Sequence, residues 1–339
     1  MSWAILSWCT RALPRKTTRL ASSLVSTLEY PTLVFIRRNL YTQVAENCRI
    51  GDGVQLDDFC RIGANTVIGE NTRVGRFTEI GSHCRIGSFV RIDSHVLVDS
   101  NTQVGNHCTV YPFAVLGYPP QDKKYKGEET SLEIGNRCQI REGVKVERGT
   151  SWSNKTVIGD DVLLMSNVYV GHDSWIGEHV TVANNVSIAG HVKVFPFAVI
   201  GGHCALHQFV RIGRGAMIGG MSAIRRDVPP FCLVTGTPPR LRCLNYHQIW
   251  KKVGNHPQRK WMKRCFDYLF LNKEDDAHSS FGPHRESIFQ RAQNLLFQYA
   301  LQQDVACDVS RDVIREICTF ILDSRTNSVR GLLTGDCER

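Results

Sequence analysis

Aliphatic residues recur every six positions through the middle of the chain. From Val44 the sixth positions are Ile50, Leu56, Ile62, Ile68, Val74, Ile80, Ile86, Ile92, Val98, Val104, Val110 and Leu116. The count resumes at Ile134, Ile140 and Val146. It resumes once more at Ile158 and runs through Leu164, Val170, Ile176, Val182, Ile188, Val194, Ile200, Leu206, Ile212 and Ile218 to Ile224, giving 28 positions. An α-helix repeats every 3.6 residues and a strand every two, so neither carries this period. A hexad does make one short side and corner of a parallel β-helix, and three sides make an eighteen-residue coil. Strands of successive coils lie about 4.8 Å apart. The pattern predicts an all-β solenoid over residues 41–230, roughly nine coils tall.

The positions around each aliphatic fit that reading. Two residues before it comes a small or β-branched side chain that strand alternation turns inward. Cys48, Cys60, Cys84, Cys108, Cys138 and Cys204 occupy this slot and are expected as core fillers rather than ligands or redox centres. Gly follows the aliphatic fifteen times, as at Gly51, Gly63 and Gly69, and is expected to provide the positive φ of a sharp corner. Two stretches break the repeat with polar residues, 118–131 and 148–156. They are expected to be loops projecting from the solenoid, and loops on a rigid scaffold often carry function.

The repeat stops near Asp227-Val228-Pro229-Pro230, and the period becomes helical. Trp261, Cys265 and Leu269 share a helical face, as do Leu295 and Tyr299, and Val313, Ile317 and Ile321. Pro257 and Pro283 suit first turns and Ser310 suits a cap. A small helical domain is expected over 240–335, capping the open end of the solenoid.

Composition narrows the class. The thirteen cysteines are scattered through 339 residues with no Cys-x-x-Cys, against both a disulfide scaffold and a zinc ribbon. No run of 18 apolar residues occurs, so no spanning helix is expected. The net charge of +9 is concentrated at the start: residues 1–40 hold six basic residues and one acid, Glu29. That Ser/Thr-rich, acid-poor segment suits a mitochondrial transit peptide leading to the matrix. Without it the charge falls to about +4, which weakens a nucleic-acid reading.

The chemistry is sought among twelve histidines. His83, His95 and His107 fall on the outward phase and suit surface positions. His172, His191 and His207 lie on three successive coils. Residues 172, 190 and 208 differ by eighteen, so His172, Gly190 and Gln208 should stack, with His191, His207 and Asp173 beside them. Three readings stand on spacing alone: His172 as general base with the Gly190 N–H facing an oxyanion, three histidines on zinc, or surface residues without a role.

Local motifs add a resemblance. Gln121-Asp122-Lys123-Lys124-Tyr125-Lys126-Gly127-Glu128, Ile140-Arg141-Glu142, Arg148-Gly149-Thr150, Gly171-His172-Asp173, Ala189-Gly190-His191 and His207-Gln208-Phe209 occur in order. In these motifs the chain resembles the acyl-(acyl-carrier-protein)–UDP-N-acetylglucosamine O-acyltransferases, whose reaction opens lipid A synthesis. The resemblance implies a left-handed β-helix and a homotrimer with each site between two subunits. It implies no metal or other cofactor, acyl carrier protein as donor and UDP-N-acetylglucosamine as acceptor. It makes His172 the base for the glucosamine 3-hydroxyl, Asp173 its orienting group and Gly190 the oxyanion donor. Asp122 and Lys124, with Gln121, would contact the sugar nucleotide. His191, His207 and Gln208 would line the cleft, Asn245 would reach the nucleotide and Gly220 would leave room for the acyl tail.

Two departures stand out. Tyr169 replaces a histidine frequent in the family, and Lys251-Lys252 replaces an arginine pair, losing the bidentate fork. Residues 251–264 carry Lys251, Lys252, Arg259, Lys260, Lys263 and Arg264 without an acid, a surface suited either to solvent or to acidic acyl carrier protein. The alternatives are a γ-type carbonic anhydrase-like zinc protein, a silent β-helix scaffold and a sister acyltransferase with an amine acceptor.

Overall fold

The computed structural model describes residues 41–253, 259–271, 287–301 and 308–333. The basic segment 1–40, Pro257 and Pro283 lie outside the described residues. All 28 periodic aliphatics sit in strands, one each, from β1 (Gln43–Val44) to β28 (Ala223–Ile224). Every third strand joins the same sheet: the first holds β1, β4 (Arg61–Ile62) and so on to β28, and the second and third interleave with it. Outside the two insertions, neighbours from β1 to β28 are parallel and pair residues eighteen apart, as Val44 with Ile62 and Ile62 with Ile80. The result is a left-handed parallel β-helix.

The aliphatic column fills the axis, and Val74, Ile80, Val98, Ile140, Ile176, Ile188 and Ile200 are fully buried. Each such side chain stabilises the stack by about 1.5–3 kcal/mol. The slot two residues before it does more than fill space. Its Cys or Thr donates to a corner carbonyl of the next coil: Cys60 Sγ to Gly75 O at 3.1 Å, Thr66 Oγ1 to Gly81 O at 2.8 Å and Thr78 Oγ1 to Asp93 O at 2.9 Å. Burial pushes the Cys60 and Cys84 thiols up to about 11, which keeps them protonated and unreactive.

The expected role of the corner glycines is corrected. The left-handed φ falls three residues after the aliphatic, on Asn65, His83, Phe77 and their equivalents, and of the glycines directly after an aliphatic only Gly117, with φ 74°, meets the expectation among the described residues. Gly after the aliphatic answers a different demand: a Cβ at Gly51 would stand 2.6 Å from the Glu70 nitrogen, and one at Gly63 would stand 2.5 Å from the Ser82 nitrogen. Coils there approach too closely for any side chain. The left-handed corner residues stack in columns. Tyr41, Phe59, Phe77, His95 and Phe113 form one ring ladder with centroids 4.9–5.3 Å apart, and His107 stacks on Phe89. His95 and His107 are exposed as expected, and they also stack within these corner columns.

The solenoid also runs past its expected limit at 230. β29 (Cys232–Thr235) adds to the third sheet beside Met217–Ile218, and β30 (Arg240–Leu244) folds back antiparallel to close it. Helices α1 (Tyr246–Val253), α2 (Arg259–Phe266), α3 (Ile288–Leu301) and α4 (Asp308–Asn327) follow, with a π-turn at Asp267–Leu271. Cys265, Leu269, Leu295, Val313, Ile317 and Ile321 are buried as their period requires. Ser310 lies inside α4 with a buried hydroxyl that makes no hydrogen bond, so it is not the expected cap. α4 docks on the last coils as well as packing on its neighbours. Arg211 binds Asp227 at 2.7 Å and Ser324 of α4 at 2.8 Å, and it also pairs with Asp323. Among the described residues no helix is long and apolar enough to cross a membrane.

Candidate active site

Both loops leave the solenoid at one corner, where the first sheet hands over to the second. One joins β13 (Val115–Tyr118) to β14 (Ser131–Ile134), and the other joins β16 (Lys145–Glu147) to β17 (Lys155–Ile158). Their roots are tied together. Arg148 is buried, and its Nε donates to Gly117 O at 2.6 Å while its guanidinium pairs with Asp99 at 3.0 Å. Thr130 Oγ1 donates to Gly149 O at 2.6 Å. The inserted residues therefore form a fixed wall over that corner.

His172 and Asp173 lie at the same corner one coil later, after β19 (Tyr169–Val170). Asp173 holds the left-handed corner position with φ 57°, and its carboxylate is fully shielded from solvent. One oxygen accepts the Thr150 N–H at 3.0 Å, the Ser153 N–H at 3.2 Å and the Ser153 hydroxyl at 2.5 Å. The other accepts the Thr150 hydroxyl at 2.7 Å and pairs with His172 Nδ1 at 2.8 Å. With Nδ1 donating to a carboxylate, Nε2 carries the free lone pair.

The electrostatics follow from this wiring. Pairing with Asp173 raises the His172 pKa above the ordinary imidazole value against the opposing effect of burial, and the charges of Glu147 and Asp122 add to the rise. Burial alone would raise Asp173, but hydrogen bonds from His172, Ser153 and Thr150 outweigh it and hold the carboxyl well below its usual range. Burial lowers His191, partly countered by Asp173.

Gly190 stacks under His172 as the eighteen-residue column requires. A Cβ there would stand 2.7 Å from both Cε1 and Nε2 of the His172 ring. The His191 N–H donates to His172 O at 2.9 Å, its ring meets His172 edge-on at 5.0 Å, and it stacks on Phe209 at 4.4 Å. Asp122 is half-buried, its carboxylate accepting the Lys124 N–H at 3.0 Å. The Gln121 N–H donates to Glu147 at 3.1 Å.

Other expected site residues lie apart. His207 is exposed with Nδ1 3.4 Å from Gln208 O, and it does not join the other two imidazoles. Gln208 is exposed, and its carbonyl accepts Arg330 Nε at 2.9 Å. Asn245 is buried at the corner between the second and third sheets, where its Nδ2 donates to Gly215 O at 2.9 Å. Gly220 is exposed at the third corner, beside Gly202. Lys251 and Lys252 fall in the last turn of α1, while Lys260 and Lys263 are exposed on α2. His172, Asp173 and His191 do offer donor atoms within 4.8 Å of one another, enough in number for a metal ion. A cation would have to displace the donors already filling both oxygens of Asp173, so the set suits a positioned imidazole better than a zinc centre.

The sequence reading missed the groups that hold the centre. Thr150 and Ser153 lie in a loop whose course no period dictates. Trp152 beside them stands edge-on to His191 at 5.4 Å. Glu147 carried no distinct signal, since Asp57, Asp93 and Asp99 also stand directly after a periodic aliphatic.

Comparison with known proteins agrees with the geometry. The family description "Bacterial transferase hexapeptide (six repeats)" matches residues 47–82 and 155–190. The acyl-(acyl-carrier-protein)–UDP-N-acetylglucosamine O-acyltransferase of Helicobacter pylori (strain ATCC 700392 / 26695) is 43% identical over 216 residues, covering 63% of this chain and 72% of its own length. The Synechocystis enzyme of the same name is 47% identical over 161 residues, which cover 48% of this chain and 58% of the relative. Among solved structures, the Arabidopsis UDP-N-acetylglucosamine acyltransferase matches with TM-score 0.67 and 28% identity, covering 88% of this chain and 100% of that one. The Moraxella catarrhalis UDP-N-acetylglucosamine O-acyltransferase matches with TM-score 0.58 and 30% identity over 85% and 98%.

Proposed function

This chain belongs to the acyl-(acyl-carrier-protein)–UDP-N-acetylglucosamine O-acyltransferase family, and from that premise we propose that it acylates the glucosamine 3-hydroxyl with His172 as general base. The observation that carries the reading is the His172–Asp173 pair at 2.8 Å, packed on Gly190 beneath the two inserted loops. His172 Nε2 takes the hydroxyl proton as the oxygen attacks the thioester carbonyl, and an adjacent N–H at Gly190 stabilises the oxyanion. Collapse expels the carrier's thiolate, which takes the proton back from the imidazolium. Asp122 and Lys124 contact the sugar nucleotide from their loop.

The placement of Asn245 and Gly220 supports a homotrimer. One chain sets these residues at corners other than that of His172, so a site using all of them draws on neighbouring copies. Residues 1–40 supply the charge pattern of a mitochondrial targeting segment.

The test is a purified-protein assay with UDP-N-acetylglucosamine and a panel of acyl-carrier-protein thioesters. A 3-O-acylated product is expected. Because only neutral imidazole can act as base, and the folded pKa is raised, activity should fall as pH drops through a value above about 6.5. The absence of product with every donor would refute the assignment.

The exposed cations of α2 fit an acidic carrier. Reversing Lys260 and Lys263 to Glu should raise the apparent KM for the acyl donor several-fold at low salt, with kcat unchanged. The difference should shrink as salt shortens the screening length to about 8 Å. An unchanged KM at low salt would move the carrier elsewhere.

A further inference from the structure

Glu147 is the last residue of β16 and is buried. Two backbone N–H groups converge on it from two parts of the site. The Gln121 N–H reaches Oε1 at 3.1 Å from the loop that carries Asp122 and Lys124. The His172 backbone N–H reaches Oε2 at 3.3 Å. Tyr169, on the strand leading to His172, lies beside the same carboxylate, and burial together with Glu147 holds its phenol above the ordinary range. A carboxylate only accepts, through two oxygens, so it suits these two N–H groups better than any neutral side chain.

We propose that Glu147 is a positioning residue that ties the sugar-nucleotide loop to the catalytic base, with Tyr169 as its brace. This rests on the acyl-transfer reading above and deepens it. One rigid carboxylate fixes the distance between the group that holds the acceptor sugar and the group that deprotonates it. Its negative charge, together with that of Asp173, also favours the imidazolium form of His172.

The test compares the wild-type chain with Glu147→Gln and Tyr169→Phe. An amide accepts through one atom only, so Glu147→Gln releases one of the two N–H groups and removes the charge. The expected result is a rise of about tenfold in KM for UDP-N-acetylglucosamine. The acid limb of the kcat/KM profile should move to lower pH by several tenths of a unit, because loss of a nearby anion lowers the His172 pKa. Tyr169→Phe keeps the charge, so it should raise KM more modestly and leave the limb in place. A separate readout needs no turnover: the His172 ring titration followed by NMR should shift down in Glu147→Gln. A wild-type protein that makes no product would refute the acyl-transfer reading. An active wild type whose KM, acid limb and ring titration are all unmoved by Glu147→Gln would overturn the role of Glu147, even if the melting temperature falls.

Discussion

His172→Ala should lower kcat for O-acylation by about a thousandfold, within the 10²–10⁴ range of a positioned general base. No neighbour can take over. His191 is the nearest imidazole, but it stands 3.9 Å from Asp173 and stacks on Phe209, and its basicity is lowered where that of His172 is raised. The loss should appear in kcat more than in KM, since the proton moves only in the transition state. The fold should survive. Asp173 keeps its four donors from Thr150 and Ser153, so its buried charge is not left bare. Product formation, with circular dichroism and a melting curve as controls, checks this. Retention of more than a tenth of the activity in a folded protein would rule out His172 as the base.

Gly190→Ala should be nearly as damaging with far less chemistry removed. The added methyl would meet ring atoms of His172 at 2.7 Å, closer than real Cβ contacts come. The ring must rotate, which breaks its 2.8 Å pairing with Asp173 and misplaces Nε2. Any N–H aimed from Gly190 at the oxyanion would shift with it. A fall of about a hundredfold in kcat is expected, the size of losing one oxyanion donor, with a drop of a few degrees in melting temperature. Gly202→Ala is the matched control for stability, because a Cβ there meets only Asn184 O at 3.4 Å. Equal behaviour of the two variants would refute the steric account.

The repeat was legible because burial enforces it. On each of the three sides one inward position must be aliphatic in every coil, and the 28 positions became 28 strands. The stacking of His172 on Gly190 followed from the same arithmetic. What lay between repeats was not legible. Except at Gly117 the glycines were explained by the wrong constraint, since φ and close approach both select glycine and only coordinates separate them. His207 stayed out of the imidazole cluster because sequence neighbours at a corner point in different directions. Thr150 and Ser153 reach Asp173 through a turn set by its own hydrogen bonds. Ser310 satisfied a capping pattern but lies inside its helix.

The two insertions also shape how the chain assembles. Elsewhere from β1 to β28 each strand finds its partner eighteen residues on, so the rod can grow by short-range zipping from any nucleated coil. At the site the intervals lengthen: Val104 pairs with Ile134 and Ile134 with Ile158. Closing thirty residues rather than eighteen adds only ~0.5 kcal/mol of chain entropy. Even so, it puts the slowest step of propagation at the coils that build the catalytic corner. Growth started at either end would then meet last at the active site.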